Sequence, residues 1–262
     1  MRGQSVNVGL HECGHRRGVS AGAITGLTCS VAGLVGSYWA VGAVATQRGR
    51  RIATSLVVSR VATERPAVAL TFDDGPHERH TRRVVDALGA SRATFFVLGN
   101  RTRQWPSIVR ETMEAGHEIA SHGYDHTHLW KLSPSQTMQD LRRARQAIMD
   151  ATGRRPAAYR PPHGMFNLSA WIGAQKLEMR RTLWSASARD WAHDASPESI
   201  TANALAGARA GAVILLHDGG GSDDRAEKTV QALPALLDGL RQRGLEAVTL
   251  AELLASRLEP AR

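Results

Sequence analysis

The sequence predicts an α/β fold built around a parallel, barrel-like sheet, and three observations lead there. From Pro66 onward, short apolar runs of β type alternate with helix-like stretches, the pattern that yields a parallel sheet covered by helices. Chemically reactive side chains recur directly after those apolar runs, which in a parallel sheet brings them to one end of the strands. No cysteine occurs after Cys29, so neither a disulfide framework nor a cysteine-ligated zinc site is expected in this part of the chain.

Taken in order, residues 18–47 come first. They carry no formal charge over 30 residues and are rich in Ala, Val, Leu and Gly, longer than the roughly 20 residues that cross a bilayer as a helix. Arginines flank the run on both sides, so the positive-inside rule gives no orientation. Ala43-Val44-Ala45 has the small-x-small form of a signal-peptide cleavage site. Residues 1–47 are expected to be a signal peptide or membrane anchor, making the protein extracytoplasmic, secreted or held at the cell surface. A Gly/Ala-rich leader with neither role is the bland alternative. Residues 48–65 read as a basic linker and residues 66–258 as the folded body.

Within the body, strands are expected at 67–72, 93–98, 118–121, 157–160, 182–184, 212–216 and 247–250, and helices at 81–88, 106–115, 134–151, 197–208 and 229–243. Ser133-Pro134 and Ser196-Pro197 supply an N-cap followed by a first-turn proline.

The net charge of +9 is uneven: residues 1–51 hold six arginines and one acid, leaving 27 basic and 23 acidic side chains for the remainder. That remaining excess is spread along the sequence rather than gathered into a basic stripe, so nucleic acid is not an expected partner. No feature points to a protein partner.

Asp73 and Asp74 close the first apolar run and precede Gly75-Pro76. Adjacent carboxylates at a strand end point to different sides, so one can bind a metal ion while the other meets substrate or water; a plain surface turn is the alternative. His122 and His126 are spaced i, i+4, which on a helical turn sets both imidazoles on one face, the arrangement of paired histidine ligands. Surface decoration is the bland reading of that pair. Two His and one Asp would leave coordination positions open for water and substrate. Arg160, before Pro161-Pro162-His163-Gly164, could pair with Asp73 and keep it ionised, or be a surface arginine on a proline-rich loop. His217 ends an apolar strand and could act as a general acid with Asp190 holding its proton, or be a core histidine. Trp191 could wall the pocket.

In order, Thr71–Gly75 (TFDDG), His122-x-x-x-His126, Arg160-Pro-Pro-His-Gly164, Asp190-Trp191 and Leu215-Leu216-His217 resemble the five motifs of the polysaccharide deacetylase family, carbohydrate esterase family 4. The resemblance runs from about Pro66 to Leu254. It implies a distorted (β/α) barrel, a divalent cation (zinc, or else cobalt, manganese or nickel), and removal of N-acetyl groups from N-acetylglucosamine-containing polysaccharide such as peptidoglycan or chitin, less often O-acetyl groups from xylan. Asp73 matches the base that activates water at the metal; Asp74, His122 and His126 match the metal ligands, and His217 the acid that protonates the leaving amine. Arg160 matches the partner of the base and Asp190 that of the acid. Leu215 and Trp191 match the lining of the acetyl slot, and the His163 backbone N–H matches an oxyanion donor. The chain departs from the family at Gly123, where Ser or Thr is frequent, at His163, where Tyr is common, and at Ser187, where Asp is frequent. A non-catalytic glycan-binding protein on the same fold is the competing class.

Overall fold

The computed structural model of the protein describes residues 56–220 and 223–258. The expected leader or anchor, and residues 48–55 of the expected linker, lie outside the described residues.

β1 (Ala67–Asp73) is buried along its whole length, and its alternation sorts side chains to two sides. Val68, Leu70 and Phe72 face the helices, where they pack with Phe95, Ile214, Leu216 and Leu233. Ala67 and Ala69 face inward with Phe96, Ala120, Val213 and Val248. Both faces are covered, so β1 reads as a continuous apolar run rather than an alternating one. Each fully buried Phe or Leu in these layers contributes roughly 1.5–3 kcal/mol.

The remaining strands are β2 (Thr94–Val97), β3 (Glu118–Ser121), β4 (Ala158–Tyr159), β5 (Arg180–Arg181), β6 (Ala186–Ser187), β7 (Val213–His217) and β8 (Glu246–Val248). They lie in the order β5-β4-β3-β2-β1-β7-β6, with β8 beside the first half of β1. Every strand pairing in this sheet is parallel. The helices are α1 (His80–Leu88), α2 (Gly99–Gln104), α3 (Pro106–Glu114), α4 (Pro134–Thr152), α5 (Leu168–Lys176), α6 (Pro197–Gly207), α7 (Asp223–Gln242) and α8 (Leu250–Ala255). Ser133 and Ser196 cap α4 and α6 with capping boxes, and a proline follows each. The architecture is the expected distorted (β/α) barrel.

Three local expectations need correction. The apolar run 182–184 is not a strand of its own: β5 ends at Arg181, Thr182 makes a single bridge to Val58, and β6 begins at Ala186. Helices α2, α5 and α8 have no counterpart among the expected elements. The second half of the expected linker is part of the body. Val57 and Val61 are buried, Val58 N–H donates to Arg181 O at 2.9 Å, and Val61 N–H donates to Gly211 O at 2.9 Å. Residues 57–61 therefore stitch the β5 side of the sheet to the start of β7.

Candidate active site

The polar ends of the strands converge. β1 ends in Asp73, β3 leads into His122, Arg160 follows β4, and β7 ends in His217. Asp73 and His217 are register partners on adjacent strands.

Asp74, His122 and His126 each offer one ligand atom, all within 4.8 Å of one another. Asp74 Oδ1 lies 3.3 Å from His122 Nε2 and 3.1 Å from His126 Nε2, yet it is buried without a satisfied hydrogen bond. Three donor atoms aimed at one point, with the carboxylate oxygen orphaned, fit a divalent cation. His122 Nδ1 lies 2.9 Å from Arg160 O; donating its proton there leaves Nε2 with the lone pair a metal needs. Burial pushes the Asp74 carboxyl up, but the two imidazoles outweigh it and hold it far below the usual carboxylate range.

The i, i+4 spacing of the histidines does not work through a helical turn. Residues 122–128 form a loop with Gly123 at φ 86° and His126 at φ 56°. Asp140 of α4 fixes this loop by accepting the Tyr124 N–H at 3.1 Å. A Cβ on Gly123 would sit 3.0 Å from Asp140 Oδ2, so Gly123 lets the helix carboxylate approach. Asp74 (φ 72°) and His163 (φ 58°) are also left-handed. Such conformations are uncommon outside glycine and cluster at functional sites.

Asp73 is buried, and its Oδ1 accepts from Arg160 Nη1 at 2.6 Å. The fully buried guanidinium is fixed by Thr71 Oγ1 at 2.9 Å and Leu183 O at 3.0 Å, with Phe96 4.0 Å beneath it. Held between these partners, Asp73 can act as a base while remaining oriented.

His217 Nδ1 lies 2.8 Å from Asp190 Oδ1, and the His217 backbone N–H donates to Asp190 Oδ2 at 2.7 Å. Thr229 Oγ1 of α7 donates to the same carboxylate at 2.9 Å. Burial opposes a proton on His217, but Asp190 outweighs it and raises the pKa to about 9. An imidazolium stable at neutral pH is a proton donor. Leu215 lies one pleat below His217 on the same face of β7. Trp191 is half exposed, with the Arg189 guanidinium 5.9 Å from its ring, a place on the rim.

The His163 ring stacks on His128 at 3.6 Å between centroids and meets His126 edge-on at 4.5 Å, so the side chain braces a metal-loop residue. Burial and the neighbouring imidazoles push His163 down to about 4. His128 is thus part of the support. Thr71, Thr229 and Asp140 escaped the sequence reading as site residues. Thr71 alone had a signal, its place in the run that ends in Asp73-Asp74.

Residues 60–182 match the sequence pattern of the polysaccharide deacetylase family. The chain is 35% identical over 194 residues to the peptidoglycan-N-acetylglucosamine deacetylase PgdA of Listeria monocytogenes; the match covers 73% of this chain and 40% of that protein's length. It is 34% identical to a chitooligosaccharide deacetylase of Bradyrhizobium, covering 71% of this chain and 90% of the other. Its fold superimposes on the structure of the Bc1960 peptidoglycan N-acetylglucosamine deacetylase with a TM-score of 0.71 and 29% identity, over 77% of this chain and 94% of that one.

Proposed function

Because the chain belongs to the polysaccharide deacetylase family, we propose that it is a metal-dependent hydrolase removing N-acetyl groups from N-acetylglucosamine-containing polysaccharide of the peptidoglycan or chitin type. The observation that carries this reading is the base and acid on neighbouring strand ends, Asp73 on Arg160 and His217 on Asp190, beside the His/His/Asp set. The names of the relatives, peptidoglycan-N-acetylglucosamine deacetylase and chitooligosaccharide deacetylase, support an amide rather than an ester as the bond cleaved.

Asp74, His122 and His126 would hold the cation, zinc first and cobalt, manganese or nickel as the alternatives to test. When bound, it would polarise the acetyl carbonyl and make water a better nucleophile. Asp73 takes the proton of the attacking water, and the Arg160 contact holds that carboxylate in place. His217 gives its proton to the departing amine nitrogen as the C–N bond breaks, and Asp190 stabilises the imidazolium beforehand. The His163 N–H would donate to the developing oxyanion, while Leu215 and Trp191 bound the acetyl methyl. We place the enzyme outside the cytoplasm, exported or anchored through residues 18–47. Cleavage of the body by protease added to intact cells supports that placement, and full protection overturns it.

The test of the activity is acetate release by the full chain from chitooligosaccharides, peptidoglycan and acetylated xylan, with chelator and with added Zn²⁺. Release from an N-acetylated glycan that stops with chelator and returns with metal is the expected result. No release from any of them by metal-loaded protein overturns the reading, and release from xylan alone makes the protein an ester hydrolase.

A further inference from the structure

The end of the barrel opposite the site collects arginines. All strands run in one direction, so the residues that precede them meet at the end away from Asp73 and His217. Arg65 precedes β1, Arg92 precedes β2, Arg154 precedes β4, Arg180 opens β5, Arg209 precedes β7 and Arg243 precedes β8. A cation excess that is diffuse along the sequence is thus concentrated by the topology. Arg65 and Arg92 pair with Glu246 and Glu252. Arg154, Arg180 and Arg209 are exposed, with no carboxylate partner among the described residues.

A cavity of about 1120 Å³ opens at this end, lined by Arg60, Arg180, Arg181 and Arg257 and edged by Leu56 and Leu258. Both leucines are about half exposed, at 54% and 49%. Of the acids in the lining, Glu118 accepts from Thr94 Oγ1 at 2.8 Å and Ala251 N–H at 2.9 Å, while Glu178 is exposed and lies 3.6 Å from Arg155. Leu56 is also where the described chain begins. The eight residues before it, 48–55, hold three arginines and no acid, so that segment cannot neutralise the cavity. Fully extended, those eight residues reach about 29 Å at most. If residues 18–47 anchor the chain as proposed above, a tether of that length would keep Leu56 near the lipid headgroups.

We propose that the arginine-rich end is a docking surface for an anionic phospholipid bilayer, with Leu56 and Leu258 entering the headgroup layer and the Asp73–His217 end facing away. Exposed cations around an apolar pair suit a phosphate-bearing apolar layer better than a nucleic acid, which offers phosphates without one. The inference goes beyond the hydrolytic reading, and its bilayer placement rests on the anchoring through residues 18–47 proposed above.

The experiment is hydrogen–deuterium exchange of the full chain incorporated in phosphatidylcholine vesicles, with and without phosphatidylglycerol. Protection of residues 153–157 and 209–212 by the anionic vesicles alone, reversed by salt, is the expected result. Neutralising an arginine lowers docking by about fivefold, the equivalent of about 1 kcal/mol, so R180Q/R209Q should lose about 25-fold of that protection. Unchanged exchange at β1 shows the variant to be folded. Equal protection in both vesicles, none in either, or full protection in R180Q/R209Q overturns the proposal. Equal protection by a soluble nucleic acid at matched phosphate concentration overturns the lipid assignment.

Discussion

Asp73 and His217 are register partners on the neighbouring parallel strands β1 and β7. Neighbouring strands run about 4.8 Å apart, and register partners leave the sheet on the same face. Base and acid therefore open into one space, yet each is held by a different buried partner, Arg160 for Asp73 and Asp190 for His217. The two proton transfers can be disturbed separately.

Asp73→Asn should lower turnover by about 10²–10⁴, the range for loss of a general base. It also strands the Arg160 guanidinium, and breaking a buried pair costs about 3–5 kcal/mol. Acetate release and thermal unfolding together check this. Turnover near the parent value would refute the assignment of the base.

The rate should be sustained through neutral pH and fall as pH rises through about 9, where His217 loses its proton. Asp190→Asn removes the carboxylate that holds that proton, so the alkaline limb should move down toward the ordinary histidine range. The same shift affects stability. The pKa of folded His217 is raised above 6.5, so its contribution is fully present below that value and lost as pH rises through about 9. Melting of the chelated protein across this window should show the loss in the parent and not in the Asn variant.

Asp218 is buried and accepts from Thr81 Oγ1 at 2.5 Å. Burial, with Asp74 and Asp73 nearby, raises its pKa from 3.8 to about 7. A raised carboxyl pKa favours the fold below 3.8, and that advantage is lost as pH rises through about 7. Ionised Asp218 then costs up to about 4 kcal/mol. Metal-free Asp218→Asn, which keeps an acceptor for Thr81, should melt above the parent at mildly alkaline pH. Their difference should vanish in acid. An Asn variant less stable at both extremes would contradict this account.

Gly220 carries no ligand atom, but at φ 70° a Cβ there would come 2.3 Å from Asp74 Oδ2. Gly220→Ala should therefore displace the Asp74 carboxylate and weaken Zn²⁺ binding by about 10–100-fold, the scale of second-layer changes around metal sites. Calorimetric titration checks the affinity. Zn²⁺ at one hundred times its dissociation constant should stabilise the parent by about 2.7 kcal/mol, a shift that His126→Ala should abolish.

The chemistry of the site was legible because most of its groups close apolar runs, and a parallel sheet turns that linear habit into one cluster. The way the groups are held was not. His122 and His126 read as a pair, but their loop depends on two positive φ values and on Asp140, which lies fourteen residues beyond His126 on α4. Thr229 finds Asp190 only after α7 folds back, and a threonine in a helix gives no spacing signal. β5 and β6 span two residues each, too short to show a period of two. The charge pattern misled for the same reason: arginines scattered through the sequence become neighbours once every strand starts at the same end.

The stitch formed by residues 57–61 sets a limit on where the chain can be trimmed. A sheet edge with unpaired N–H and C=O groups is a template for pairing with another chain, and here Val58 occupies such a group on Arg181 of the edge strand β5. Processing upstream of Leu56 leaves that cover in place. A cut at Pro66 strips it, unseals the sheet beside Arg181 and gives the released body an adhesive margin. The short segment read as a linker is thus part of the folded sheet, and its loss is expected to promote self-association.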